Sequence, residues 1–191
     1  MTAPKSPTPV IIRPANATDL PAIKACFQEY TDWLDEDISF QNYSEEFANL
    51  PGKYAPPTGG LILAVDGPSG DLLGCIAFRP LNLDDDFVQS RQGGGVRSCE
   101  LKRLYVYPKA RGRQVARKLI QQAIKTAAQI GYDEMFLDTL PKMQPAIGLY
   151  KSEGFTLTQP YYYSPLDGVL FFSRPLGSED AEHGQNTASC P

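Results

Sequence analysis

The stretch 101–119 reads L-K-R-L-Y-V-Y-P-K-A-R-G-R-Q-V-A-R-K-L. Its first part, Leu101 to Val106, is rich in the aliphatic and aromatic residues of a buried strand, and Pro108 prevents the strand from continuing. From residue 113 onward, apolar side chains recur at steps of three and four until Gly131, a spacing typical of an amphipathic helix that ends at a glycine. The stretch therefore predicts a strand, a glycine-containing loop and a long helix over 113–130.

The loop and the start of this helix are strongly basic. Between Glu100 and Leu119, seven Lys or Arg stand against one Glu, a net charge of +6 within a chain of net charge −4. A helix N-terminus has unpaired N–H groups and a positive dipole end, so these cations would complete a site for a polyphosphate. The alternative is an ordinary helix whose Lys and Arg side chains face solvent, and composition alone does not distinguish the two. Neither the P-loop motif nor G-x-G-x-x-G is present, so a nucleoside triphosphatase or a Rossmann site is not indicated.

The segments on either side predict alternating strands and helices. Strands are expected at 10–12, 61–65, 72–78, 101–106, 135–139, 155–163 and 169–174, and helices after Thr18, at 113–130 and at 144–153. The turn at 66–70, D-G-P-S-G, makes the second and third strands an antiparallel hairpin. Four strands in a row followed by helical crossovers favour a mixed sheet in an α/β fold.

A single domain accounts for the 191 residues. We expect it to span 10–176, between flexible tails at 1–9 and 177–191, because the tails offer too little apolar surface to offset the entropy of ordering. The segment 84–95 holds three aspartates and three glycines in runs and is expected to be a solvated loop.

Composition argues against several classes of protein. The 42% hydrophobic and 21% charged residues are typical of a globular domain, and no apolar run approaches the roughly 20 residues that cross a bilayer. Four scattered cysteines and one histidine favour neither a zinc site nor a disulfide framework, and they suggest a reduced, cytoplasmic setting. The negative net charge, and basic residues without interleaved stacking aromatics, argue against a nucleic-acid partner.

Two motifs resemble those of the GNAT superfamily of acyl-CoA N-acyltransferases. The run L-x-R-L-Y-V-x-P-x-x-R-G-x-x-x-A-R-x-L at 101–119 is similar to its acyl-CoA-binding motif, and L-Y-K-S-E-G-F at 149–155 is similar to its signature L-Y-x-x-x-G-F. The resemblance covers about residues 10–174. It implies a mixed, mostly antiparallel sheet of six or seven strands with a central splay and about four flanking helices. It also implies acetyl transfer from acetyl-CoA to an amine, without a metal.

The resemblance further implies where acetyl-CoA binds. The pantetheine would lie between strands 100–106 and 134–139 and pair with main-chain groups of Leu104 and Val106, on either side of Tyr105. The pyrophosphate would lie on the loop and helix start, which consist of Arg111, Gly112, Arg113, Gln114, Val115, Ala116 and Arg117. Gln114 stands where the family has a glycine, and Met143 where many members have an asparagine that contacts the cofactor.

The same resemblance places the chemistry on Tyr150 and Glu100. Acyl transfer to an amine needs a base for the amine proton and an acid for the leaving thiolate. Tyr150 matches the tyrosine near the thioester sulfur, although simple packing of its ring on the sheet is an alternative. Glu100 is the expected base, acting through water, and a solvent-facing charge at the strand edge is the alternative.

The acceptor is expected to be a primary amine on a small molecule or a peptide. Six acids and no basic residue lie between Asp32 and Glu46, interleaved with aromatic rings. If Trp33, Asp35 and Glu36 line the acceptor groove, they would attract a cationic amine, but a solvated loop explains the charges equally. Tyr162, pointing away from its neighbours along an alternating strand, would form the opposite wall.

Two functions stay open from the sequence. One is an acetyl-CoA-dependent N-acetyltransferase, and the other is a non-catalytic GNAT-like module that binds acyl-CoA or a protein partner. The presence of both Tyr150 and Glu100 favours the enzyme. Neither a nucleic acid nor a membrane is expected as a partner, and the sequence leaves a homodimer open.

Overall fold

The computed structural model describes residues 8–90 and 96–182. Its strands are β1 Val10–Pro14, β2 Gly60–Asp66, β3 Leu72–Leu81, β4 Ser98–Val106, β5 Glu134–Thr139, β6 Thr156–Leu157 and β7 Leu170–Pro175. Its α-helices within that range are α1 Leu20–Leu34, α2 Tyr43–Ala48, α3 Asp85–Ser90, α4 Val115–Ile130, α5 Gln144–Ser152 and α6 Ser178–Glu182. None of the described helices is both long and apolar enough to cross a membrane.

The strands form one sheet in the order β1-β2-β3-β4-β5-β7-β6. Only the β4–β5 pair is parallel within the described sheet, so the predicted mixed, mostly antiparallel α/β fold is confirmed. The apolar face of α4 buries Leu119, Ile120 and Ala123 against one side of the sheet. The opposite side packs on α1 through Ile23 and Phe27.

The parallel pair comes apart after three residues. Ser98, Cys99 and Glu100 pair with residues 134–136, and β4 then diverges from β5. The cause is a bulge in the β3–β4 ladder, where two steps along β3 from Cys75 to Ala77 correspond to three steps along β4. Arg103 lies in this bulge with a left-handed φ of 58°. An extra residue bends the bulged strand, and the bend contributes to opening the expected central splay.

Two local predictions were wrong. The expected strand 155–163 is only the two-residue β6, because Pro160 follows closely and has no N–H for a ladder. Tyr161 is consequently buried and Tyr163 is 86% exposed, without the expected alternation. The expected loop after Asp84 begins with α3, which is anchored where the Phe87 ring packs edge-on against Tyr161. Residues 91–95 lie outside the described range.

The C-terminal boundary of order also differs from the expectation. Residues 178–182 form α6 rather than part of a flexible tail. Arg174 on β7 pairs with Asp180 at 2.6 Å, and Gln129 on α4 donates to the Ala181 carbonyl at 3.1 Å. These polar contacts fix the helix without the large apolar side chains that the prediction relied on. Of the expected tails, 1–9 and 177–191, residues 1–7 and 183–191 fall outside the described range.

Candidate active site

The splay opens into a cleft of about 600 Å³. Its walls are β4 from Leu101 to Val106, the end of β5 with the following loop, the start of α5, the end of α1 and the segment 164–169. Eight of the residues expected at the site line this cleft: Trp33, Asp35, Leu104, Tyr105, Val106, Arg111, Ala116 and Tyr150. The fold thus brings residues from four separate parts of the chain to one cavity.

Other expected residues point elsewhere. Arg113 pairs with Asp66 at 3.1 Å, and Arg117 forms an ion pair with Glu153. Val115 is buried in the core beneath α4, whereas Gly112 and Gln114 lie exposed in the loop. Among the basic residues at 109–118, all of them described, Arg111 is the one that lines the cleft.

The start of α4 keeps the geometry of an anion site. The first helical hydrogen bond runs from the Lys118 N–H to the Gln114 carbonyl at 3.1 Å, so the N–H groups of 115–117 have no partner inside the helix. Gln114 adopts a left-handed conformation with φ 57° and ψ 21°. Glycine reaches this conformation without strain, which accounts for the glycine that the resemblance implies here, whereas Gln114 adopts it at a cost in backbone strain.

Arg111 spans the mouth of the cleft. Its guanidinium lies 5.6 Å from the Trp33 ring centre, a cation–π contact, and its Nε donates to the Val106 carbonyl at 3.3 Å. Trp33 is half exposed and packs its ring against Tyr105, with 6.0 Å between ring centres. The only tryptophan of the chain therefore lies beside the basic loop.

Tyr150 lies on α5, deep in the cleft. Burial raises the pKa of its phenol above the ordinary value, and the nearby Tyr30 and Asp138 raise it further. Within the described residues, no group forms a hydrogen bond with its hydroxyl, while its ring packs against Phe155 at 6.0 Å. The hydroxyl is therefore protonated at neutral pH and is available as a proton donor.

A chain of alternating charges runs beneath the cleft. Three cations and three carboxylates follow one another in the order Arg103, Glu46, Arg79, Glu100, Lys102 and Asp138, with successive N–O distances of 2.8, 3.6, 3.0, 3.1 and 2.6 Å. Partial burial makes such pairing obligatory, because an unpaired charge in this position would be strongly destabilising. The run E-L-K-R within a buried strand is the sequence signal for this network, whereas Arg79 and Asp138 carry no local signal.

Lys102 is the last cation of this chain and pairs with both Glu100 and Asp138. Burial would lower the pKa of its ammonium, but Asp138 and Glu100 outweigh burial and raise it. Burial likewise opposes ionisation of Asp138, yet Lys102 holds the pKa of this carboxyl below its ordinary value. Both groups are therefore charged at neutral pH, where the ammonium is no nucleophile and Asp138 is a weak base.

Glu100 is 2% exposed and has a full set of donors. Its Oε1 accepts from the Tyr161 hydroxyl at 2.8 Å and lies 3.1 Å from the Lys102 ammonium. Its Oε2 accepts from Arg79 through Nε at 3.1 Å and Nη2 at 3.0 Å. A carboxylate has about four acceptor positions, so Glu100 can take a proton only if one of these donors moves.

A second cavity of about 730 Å³ lies on the other side of this network. Glu100 and Tyr162 line it, together with the α2 segment, the end of β3 and Tyr163. Phe40, Gln41 and Lys102 line both cavities and form the partition between them. The predicted base is thus separated from the cleft by Lys102.

Two of the six acids in the predicted acidic wall of the acceptor groove are neutralised by ion pairs, and two more accept hydrogen bonds from neutral groups. Glu46 pairs with Arg103, and Glu36 pairs with Lys142 at 2.6 Å. Asp37 accepts the Ser39 N–H at 2.9 Å, and Asp32 accepts from Gln28. Of the six acids, Asp35 alone lines the cleft, and all six are within the described range.

A metal site is not formed by the part of the chain that the structure describes, since no cluster of three His, Cys, Asp or Glu occurs there. Burial raises the pKa of Cys99, and Cys26 and Cys75 face each other with sulfurs 3.4 Å apart in the core beneath α1. Raised pKa values make buried thiols poor nucleophiles. The described thiols are therefore poor candidates for a nucleophile at this site.

Comparison with known proteins agrees with this geometry. Residues 23–155 match the acetyltransferase (GNAT) family. The chain is 40% identical over 153 residues to an uncharacterized N-acetyltransferase of Schizosaccharomyces pombe, covering 80% of this chain and 86% of that protein. A GNAT acetyltransferase from Staphylococcus aureus superposes with a TM-score of 0.67 at 20% identity, over 88% of this chain and all of the other. Arabidopsis thaliana NAA60, in complex with acetyl-CoA, superposes with a TM-score of 0.66 at 22% identity, over 87% of this chain and 98% of the other. The chain belongs to the GNAT family of acetyltransferases.

Proposed function

We propose that the protein transfers an acetyl group from acetyl-CoA to a primary amine. The observation that carries the proposal is that one cleft contains two features of such an enzyme. An anion site lies at the start of α4, and the protonated phenol of Tyr150, without a hydrogen-bond partner among the described residues, lies in the same cleft. NAA60, which shares the fold, is known in complex with acetyl-CoA. The phosphates would lie on the N–H groups of 112–117 beside Arg111. The pantetheine would pair with the main chain of Leu104 and Val106, displacing Arg111 from the Val106 carbonyl.

In the proposed reaction, the neutral amine nitrogen attacks the thioester carbonyl, and a C–N bond forms. The C–S bond then breaks, and the CoA thiolate takes its proton from the Tyr150 hydroxyl. The proton lost by the amine passes through water to Glu100, the carboxylate that lines the second cavity. Tyr161 or Lys102 must move away from Glu100 Oε1 for this step.

Cofactor binding can be tested by charge reversal at Arg111. Titration calorimetry with acetyl-CoA should show at least about tenfold weaker binding for Arg111→Glu, because a cation beside the phosphates becomes an anion. The salt dependence of the dissociation constant should also decrease. Lys125→Glu makes the same charge change on α4, away from either cavity, and should bind acetyl-CoA like wild type. Equal affinities for the two variants would contradict the placement of the phosphates.

A further inference from the structure

One end of the cleft is closed by three segments. The loop after β5 contacts the end of α1, because the Lys142 ammonium donates to the Leu34 carbonyl at 3.0 Å. The same loop contacts the segment 164–169, where a Cβ built on Gly168 would lie 3.2 Å from the Pro141 side chain. Because these three segments contact one another, the side chains that they contribute to the cleft lie together at one end of the cavity.

The side chains at this end are mostly apolar. We call the following six the apolar chamber: Leu34, Ile38, Phe40, Leu140, Leu166 and Val169. Four of them, which also line the cleft, are only partly buried and so keep some apolar surface accessible: Phe40, Leu140, Leu166 and Val169. Apolar surface left open to a cleft beside the reacting groups is typical of a ligand pocket.

The charges around the apolar chamber are mostly paired with one another. Lys102 pairs with Asp138, and Lys142 pairs with Glu36. Both lysines line the cleft, so these paired carboxylates are already occupied and do not offer a partner to a second ammonium. Asp35 is the remaining carboxylate of the described cleft lining, and it is exposed to solvent.

We propose that the apolar chamber binds the body of the acceptor, so that the preferred substrate is a primary amine on an uncharged, apolar group. The inference rests on the proposed acetyl transfer. Phe40 lines both the chamber and the second cavity, which gives the acceptor an approach that does not pass the basic loop. This replaces the cationic acceptor expected from the acidic stretch of the sequence.

Two amines of equal length provide the test. Hexylamine and pentamethylenediamine differ only in the distal group, which is a methyl in the first and an ammonium in the second. The value of kcat/KM with acetyl-CoA should be at least about tenfold higher for hexylamine, because burying an unpaired charge is unfavourable. A ratio of one or below, with measurable acetylation of both amines, would overturn the inference and leave the proposed function standing.

A charge placed in the chamber should change this preference. Leu166→Glu should lower kcat/KM for hexylamine and raise it for the diamine. Leu157→Glu is the matched control, because Leu157 is 60% exposed on β6 and lies outside both cavities. Thermal unfolding and the dissociation constant for acetyl-CoA establish that the Leu166 variant is folded. An unchanged amine preference in that folded variant would contradict the assignment.

The chamber could instead hold a longer acyl group, and a separate comparison distinguishes the two. With ethylamine as acceptor, the rate of acyl transfer from hexanoyl-CoA should not exceed the rate from acetyl-CoA. A faster reaction with hexanoyl-CoA that is lost in Leu166→Glu would assign the chamber to the acyl chain and overturn the inference. Binding of acetyl-CoA without acetylation of any amine would overturn the proposed function as well.

Discussion

At the scale of single residues, Tyr150 combines a raised pKa with a hydroxyl that faces the cleft. Tyr150→Phe keeps the ring packing on Phe155 but removes the proton that the thiolate needs. We expect kcat to fall by about 10²-fold, the usual scale for a general acid, and the KM for acetyl-CoA to change less. Steady-state kinetics with a fixed amine measure both values.

The pH dependence gives an independent check on Tyr150. Because its pKa is raised above 10.0, the phenol keeps its proton as the solution becomes alkaline, and loss of that proton should not limit kcat below about pH 10. If kcat of the wild type falls on the alkaline side below that pH, and this fall is absent in Tyr150→Phe, the pKa of the phenol is not raised and the account is contradicted. A kcat equal to that of the wild type in Tyr150→Phe would mean that Tyr150 only packs against its neighbours and does not donate a proton.

Lys102 pairs with two carboxylates in the interior, Glu100 and Asp138, and Asp138 depends on it for neutralisation. Lys102→Met should lower the free energy of unfolding by about 3–5 kcal/mol, because the deletion leaves buried charge uncompensated. Lys118→Met, at an exposed position of α4, should stay within about 0.5 kcal/mol of wild type. Urea unfolding measures both. A loss below about 1 kcal/mol at Lys102 would mean that the network is not a coupled unit.

At the scale of elements, the loop before α4 carries a strained residue. The left-handed Gln114 destabilises the native loop by roughly 1 kcal/mol or more. Gln114→Gly should therefore leave stability equal or higher and bind acetyl-CoA at least as tightly. Lys118→Gly, in the right-handed first turns of the same helix, should lose about 1 kcal/mol. Urea unfolding and calorimetry provide the comparison, and a weaker-binding Gln114→Gly would show that the glutamine side chain contacts the cofactor.

The elements that could be predicted are those with a local signal. The strand, loop and helix of 101–130 follow from periodicity, a proline and a glycine, and the hairpin of β2 and β3 follows from its turn. α3 could not be predicted, since the tertiary contact of Phe87 anchors it, whereas the shortness of β6 follows from Pro160, a local signal that the predicted strand 155–163 did not take into account. The ion-pair partners of the acidic stretch could not be predicted because they are remote in sequence: Glu46 meets Arg103, 57 residues away.

At the scale of the whole molecule, the ion-pair chain connects α2, β3, β4 and β5 across the partition between the two cavities. Most of its contacts could be found only once the sheet was assembled, because all of them except Glu100–Lys102 join separate elements. The chain fixes Glu100 on one side and Asp138 on the other, while the splay holds Tyr150 opposite. Acetyl transfer needs such a fixed arrangement, because rate depends on reacting groups being held in place.

The most direct measurement of acetyl transfer counts both products at once. The full chain is incubated with acetyl-CoA and a pooled panel of primary amines, free CoA is titrated as thiol, and N-acetylated amines are quantified by mass spectrometry. We predict equal amounts of CoA and acetylated amine, with both reduced about 10²-fold in Tyr150→Phe. Calorimetric binding of acetyl-CoA with no acetylated amine above the protein-free control would contradict the enzyme and identify a non-catalytic acyl-CoA-binding module.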